Sequence, residues 1–172
     1  MHSLAWWPTL IALLIATVSD LRSRRIPNWL VVPFLVSGLV VSTVMHGWSG
    51  LGQSVSGVLL AAFLMGILYW LGGMGMGDVK LCAAIGAWIG PSQLMLALVV
   101  MGFAGGLMAF FWSLRGGFLK ESLTGAGDLL FGIGKRGLRP HDTLVLANPK
   151  ARKMPYAPAI AIGTIFSFFS LS

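Results

Sequence analysis

Apolar residues in this chain are gathered into six runs, at about 3–19, 29–45, 55–71, 79–89, 93–114 and 156–171. A helix needs about 20 apolar residues to cross a bilayer. Hydrocarbon offers no partner to a backbone N–H or C=O, so a spanning segment must pair them internally, and a helix does so within one segment. Charged residues make up 10% of the 172 positions, against about 25% in an ordinary soluble domain, and mean hydropathy is +0.85. A water-facing surface cannot be built from this composition. The runs predict an all-α, polytopic membrane bundle of about six transmembrane helices, forming a single domain over 1–172. The 79–89 run is short for a full span, and Gly90-Pro91-Ser92 separates it from the next. The first run is not a cleavable signal, because Arg22, Arg24 and Arg25 follow its apolar stretch instead of preceding it.

Charge sets the orientation. With the N-terminus outside, the inner connections 20–28, 72–80 and 115–154 carry three, one and eight of the 12 Lys and Arg, and the outer turns 46–54 and 90–92 carry none. Short inner loops rich in Lys and Arg are the rule for membrane helices. Trp6, Trp7, Trp48 and Trp88 then fall at the outer interface, and Trp29, Trp70 and Trp112 at the inner one. The net charge of +7 lies between apolar runs rather than on a folded surface. It predicts a lipid bilayer with an anionic inner leaflet as partner, and no nucleic acid. The lone Cys82 allows neither an internal disulfide nor a cysteine zinc site. Within the basic inner loop at about 115–154, 118–123 and 128–133 read as pieces of surface helix. The glycines at 125, 127, 132, 134 and 137 leave a flexible connector equally open.

Of the five acids, Glu121, Asp128 and Asp142 lie in that polar loop and read as solvated charges. Asp20 ends the first run and Asp78 opens the fourth, so both fall at the inner face, 58 positions apart in sequence. A carboxylate near hydrocarbon is costly, which makes two at one depth a site by default. Paired carboxylates share a proton and titrate as a unit, so one can take a proton from water while the other polarises a carbonyl. Structural readings stand beside this one. Asp20 could pair with Arg24 at i+4, and Asp78 could cap the fourth helix. Two acids could also ligate a metal or relay protons, but His2, His46 and His141 are dispersed, so no metal and no cofactor is expected.

Gly72, Gly73, Gly75 and Gly77 crowd the approach to Asp78. A helix interior tolerates this poorly. Such a segment lets an extended peptide come close to the backbone, or lets helices pack closely, as the spacing of Gly102 and Gly106 predicts for the fifth run. No strand precedes it and the Lys80 spacing is wrong, so it is not a phosphate loop.

Gly75-Met76-Gly77-Asp78-Val79-Lys80-Leu81 resembles the Gly-x-Gly-Asp signature of intramembrane aspartic peptidases, with the Val-Lys-Leu of the prepilin peptidase branch. Asp20 followed by Arg25-Ile26-Pro27-Asn28 is similar to that branch's other catalytic stretch, and Met154-Pro155-Tyr156-Ala157-Pro158-Ala159-Ile160 to an element of its last helix. Presenilin-type relatives carry Tyr-Asp in the first motif, and no Tyr precedes Asp20 here. Within the branch the chain resembles the short, tight-adherence (Flp-pilus) type. Larger members carry a cysteine-motif domain near the N-terminus and also N-methylate the new pilin terminus. With few residues before the first run and one cysteine, that activity is not expected here.

The resemblance implies an aspartic-type endopeptidase of the bacterial inner membrane, with Asp20 and Asp78 catalytic at the cytoplasmic face. Its substrate would be a prepilin or pseudopilin, cut just after a glycine. Gly75 and Gly77 would lie along the extended leader, with Asn28 and Lys80 as polar positioning groups. Asn28 could equally cap the second helix and Lys80 snorkel to the interface, while Pro27 and Pro155 set helix starts. The rival from another class is a proton-coupled transporter component using the acids as a relay. It predicts polar residues continuing to the outer side, and the middles of runs two, three and five hold only Ser, Gly and apolar residues. A purely structural membrane subunit would leave the paired acids without a purpose.

Overall fold

The computed structural model describes residues 3–70, 74–116 and 156–170. These form four helices: α1 (Ser3–Ser23), α2 (Asn28–Trp70), α3 (Met76–Gly116) and α4 (Ala157–Ser170). No strand occurs among the described residues, in line with the all-α expectation. The basic loop, with Glu121, Asp128, Asp142 and Pro155, lies outside the described residues, as do Gly72 and Gly73.

The two long helices each turn back at a glycine. Gly47 (φ 61°) interrupts α2 and Gly90 (φ 71°) interrupts α3, both in the left-handed region that only glycine enters without strain. Pro91 then starts the next segment, where its missing N–H costs nothing. The four helices thereby divide into six segments, 3–23, 28–46, 48–70, 76–89, 91–116 and 157–170. Beyond the first turn the Ser42 hydroxyl donates to the Gly50 carbonyl at 3.0 Å, tying the two halves of α2 together.

Side-chain contacts give the direction of each segment. Residues 28–46 run parallel to 76–89. Lys80 bonds Asn28 at one end, and further along the Trp88 indole stacks on Phe34 at 5.4 Å while donating to its carbonyl at 2.8 Å. Residues 48–70 run the other way, with the Ser54 hydroxyl on the Ala87 carbonyl (2.6 Å) and Gly57 laid against the backbone of Gly86. α4 lies antiparallel to 91–116, with Gly163 against Ala97 and Met101, and Gly105 against Tyr156 and Ala159. It is also antiparallel to α1: Trp6 meets Phe168 and Phe169 at one end, and Asp20 meets Ala157 at the other. Asp20, Asn28, Lys80 and Ala157 therefore collect at one end of the bundle. The turns at Gly47 and Gly90 form the opposite end.

The bundle is inverted relative to a water-soluble protein. Trp48 (87% exposed), Val44, Phe103 and Trp7 face outward, while Thr9, Asp20, Ser54, Asp78, Thr164 and Ser167 are buried with small apolar residues such as Ala16, Ala61 and Ala84. Asn28–Trp70 and Met76–Phe111 are long and apolar enough to cross a membrane, with mean hydropathies of 1.9 and 2.3. One packing expectation is corrected. Gly102 and Gly106 face open space, and the glycine buried in this segment is Gly105, against Tyr156. The 102/106 spacing is right for a close helix contact, but the rotation of the segment points a different face at α4.

Candidate active site

The site grows from the end of α1. Asp20 sits in its last turns and is 6% exposed. The helix closes with the Arg24 N–H on the Asp20 carbonyl (2.8 Å), and Arg24 takes φ 51°, unusual without a glycine. Two hydroxyls hold the reversal: Ser19 donates to the Arg25 carbonyl at 2.9 Å, and Ser23 reaches the same oxygen at 3.5 Å. The Pro27 carbonyl then accepts from Leu30 and Val31 (3.2 and 3.3 Å) and opens α2. Arg22, Arg24 and Arg25 all remain exposed, so Asp20 has no partner in Arg24's side chain.

Asp78 is held by its own turn. Gly75 occupies the cap of α3, its carbonyl accepting from Asp78 (3.1 Å) and Val79 (3.4 Å), while its N–H donates to Asp78 Oδ2 at 3.3 Å. Asp78 is thus the third residue of the helix, reaching back as the acid of a capping box does, and is not itself the cap. It is 8% exposed. Gly77 explains how the two acidic segments come together. A Cβ there would stand 3.3 Å from Cβ of Ile26, so the absent side chain is the seat for the 24–27 connection. Asn28, expected either as a cap or as a positioning group, spends its side-chain oxygen on Lys80 Nζ at 3.2 Å and joins α2 to α3 at the rim of the site.

The third wall is α4, whose contact with Asp20 was not read from sequence. The Ala157 N–H donates to Asp20 Oδ2 at 3.0 Å in a buried bond spanning 137 positions. The first N–H groups of a helix have no partner inside it. Tyr156 supplies the cap carbonyl, taken by Ile160 at 3.1 Å, and Pro158 has no N–H to satisfy. Asp20 therefore does for α4, from another helix, what a local cap residue does elsewhere. A proline one position inside a helix start was the only available hint.

Asp20 and Asp78 are close enough for their charges to interact, and Tyr156 is within electrostatic range of Asp78. Each carboxylate has one oxygen on a backbone N–H. Among the described residues the other oxygen of each accepts no hydrogen bond. Two buried carboxylates with one free oxygen apiece can exchange protons with a water molecule and a peptide carbonyl. Among the described residues no group of three His, Cys, Asp or Glu is placed to hold a metal ion. At the opposite end a cavity of about 440 Å³ is lined by Ser42, His46, Gln53 and Ser54 among others. Leu81, Ile85, Leu94 and Ile160 are fully buried in the interior of the bundle.

Comparison with known proteins identifies the family of the chain. The model of the type IV leader peptidase family matches residues 7–110, a stretch holding Asp20, Asn28, Gly75, Gly77, Asp78 and Lys80. A protein of Aeromonas salmonicida named prepilin leader peptidase/N-methyltransferase is 32% identical over 169 residues, 91% of this chain and 47% of its own length. A Bacillus subtilis protein of the same name is 31% identical over 160 residues, 91% of this chain and 51% of that one. The chain spans about half the length of these curated relatives. No solved structure matches it at a significant level. Membrane-embedded, all-helical, and with its two acidic motifs folded to one end, the chain belongs to the type IV leader peptidase family.

Proposed function

We propose that the chain is an intramembrane aspartic endopeptidase that removes the leader of type IV prepilins, of the Flp type, at the cytoplasmic face of the bacterial inner membrane. The observation carrying this reading is the convergence of Asp20 and Asp78, buried and electrostatically coupled, at the end of the bundle where the described basic residues lie. One carboxylate is ionised and the other protonated, since two like charges in one buried place do not both ionise easily. The ionised member takes a proton from water as the water oxygen bonds to the scissile carbonyl carbon. The protonated member gives its proton to the carbonyl oxygen. When the C–N bond breaks, the amide nitrogen leaves with a proton returned from the pair. No covalent intermediate forms on the protein.

The substrate is a prepilin or pseudopilin whose hydrophobic helix stays in the bilayer while its extended leader crosses the Gly75–Gly77 turn. Asn28 and Lys80, bonded to each other at the rim, position the leader's polar groups. Support for six crossings with the N-terminus outside comes from the reversing segments and the one-sided distribution of Lys and Arg. A transmembrane proton relay is disfavoured by the middles of runs two, three and five, which hold only Ser, Gly and apolar residues. Co-expression with candidate prepilins tests the reading: leader removal shifts the pilin band, and the shift disappears with Asp20→Asn or Asp78→Asn. A band unchanged by the wild-type chain across all candidates, or a shift retained by either variant, refutes it.

A further inference from the structure

The turns at 46–54 and 90–92 hold no Lys, Arg, Asp or Glu, yet they are rich in neutral polar residues: His46, Ser49, Gln53, Ser54 and Ser92. The fold draws several of these around the cavity of about 440 Å³ at this end. That volume lies within the range of small-molecule sites, about 300–1,000 Å³. All four segments that meet here contribute to the lining. Ser42 and His46, one helical turn apart, come from 28–46, Gln53 from 48–70, Trp88 from 76–89 and Ser92 from 91–116. Gln53 is set against the second turn, since a Cβ on Gly90 would stand 4.0 Å from both its Cβ and its Oε1.

Donors and acceptors are divided between these residues. The His46 ring, the Gln53 amide and the Ser92 hydroxyl belong to exposed residues, and none of them bonds to a described residue. All three are open to a ligand and able to donate. Ser42 and Trp88 are part-buried and have already given their hydrogens away, Ser42 to the Gly50 carbonyl at 3.0 Å and Trp88 to the Phe34 carbonyl at 2.8 Å. A serine oxygen whose hydrogen is committed offers only lone pairs. Among the described residues the lining holds no Lys, Arg, Asp or Glu. A net anion would find no fixed cation there, and a net cation no carboxylate. A zwitterion brings its own counter-charge and needs what this lining has, donors for one end and an acceptor for the other.

We propose that this cavity binds the phosphate and ammonium of a zwitterionic phospholipid headgroup. The phosphate oxygens accept from Gln53, Ser92 and His46, and the ammonium donates to Ser42 Oγ. Position in the membrane argues for a lipid over a soluble zwitterion. The cavity opens at the ends of helices long and apolar enough to cross a bilayer, and exposed Met45 and Trp48 flank His46 in the chain. Tryptophan at the end of a spanning segment marks the headgroup level. A headgroup seated here touches both glycine turns at once and joins the four segments that they connect. The site lies at the end of the bundle away from Asp20 and Asp78, so the proposal is independent of the peptidase reading.

The test titrates the full chain, purified in a maltoside detergent, with four probes: short-chain phosphatidylethanolamine, phosphatidylglycerol and diacylglycerol with the same acyl chains, and free phosphoethanolamine. Native mass spectrometry counts the bound molecules, and thermal unfolding reads the stabilisation that a ligand of the folded state confers. Phosphatidylethanolamine is expected to bind at one saturable site, several-fold more tightly than the other three, and to raise the melting temperature most. Gln53→Met and Ser92→Ala, both at exposed positions, should each weaken it about 3- to 10-fold, the worth of one hydrogen bond. Their melting temperatures without lipid should match wild type. Several results overturn the proposal. Equal binding of phosphatidylglycerol removes the zwitterion, and equal binding of diacylglycerol removes the headgroup. Equal binding of free phosphoethanolamine gives the cavity to a soluble ligand. No saturable binding leaves it a vestibule for water, and unchanged affinity in both variants places the lipid elsewhere. The comparison of probes on the wild-type chain needs no variant to fold.

Discussion

Asp20 has two jobs that substitution can pull apart. Its Oδ2 accepts the Ala157 N–H at 3.0 Å inside the protein, and its charge faces Asp78. Asparagine keeps an acceptor oxygen in the same place, so α4 remains capped, and it relieves the repulsion between two buried carboxylates. Asp20→Asn is therefore expected to fold at least as well as wild type while cleaving no leader. Alanine removes the acceptor and leaves the Ala157 N–H buried and unpaired. Loss of a cap costs about 1 kcal/mol and an orphaned buried donor about 1–3, so Asp20→Ala should fall about 1–3 kcal/mol below Asp20→Asn. The corresponding pair at Asp78 should differ by less, about 0.5–1 kcal/mol, because the bond to Gly75 is longer (3.3 Å), only part-buried and within one turn. Thermal unfolding in one detergent, read beside leader cleavage for all four variants, supplies both quantities. Equal stability of Asp20→Asn and Asp20→Ala would refute the long-range cap, and cleavage by Asp20→Asn would refute the mechanism.

The double variant Asp20→Asn/Asp78→Asn should be no less active than either single, since members of one catalytic unit are not additive; rates that multiply would indicate separate roles. Cleavage should fall at low pH, where both carboxyls are protonated and no base remains, and at high pH, where both are ionised and no acid remains; a rate flat from acid to alkaline pH contradicts a shared proton. Gly77→Ala places a methyl 3.3 Å from Ile26 Cβ; alanine's helix propensity, worth about 1 kcal/mol, offsets the crowding in stability. Activity should drop as the 24–27 connection is pushed from the site, and the second change Ile26→Ala should recover it; a double variant as weak as the product of the singles tells against the contact. Cysteines at Ser49 and Thr124 in a Cys82→Ser background should label from opposite sides of the membrane with an impermeant thiol reagent, Ser49 in intact cells and Thr124 after lysis only; equal labelling in intact cells ends the six-span topology.

The class of fold was legible from the apolar runs alone, because helix formation and burial in hydrocarbon depend on neighbours along one chain segment. The gathering of Asp20, Asn28, Asp78 and Lys80 at one end was legible too, since the order and length of the runs decide which ends coincide. Which side of each helix faces which neighbour was not. That depends on rotation about each helix axis, and rotation is decided by contacts between segments far apart in sequence. Gly102 and Gly106 carried the right spacing and face outward, while Gly105 receives Tyr156. That the bare side of Gly77 also seats Ile26, and so joins the two acidic segments, came only from the fold. Asn28 suited a cap by position and is bonded to Lys80 of another helix. The bond from Ala157 to Asp20 joins residues 137 positions apart through an amide that every residue but proline carries, so no side-chain pattern announces it. Only the packing of α4 against α1 brings that N–H to the carboxylate.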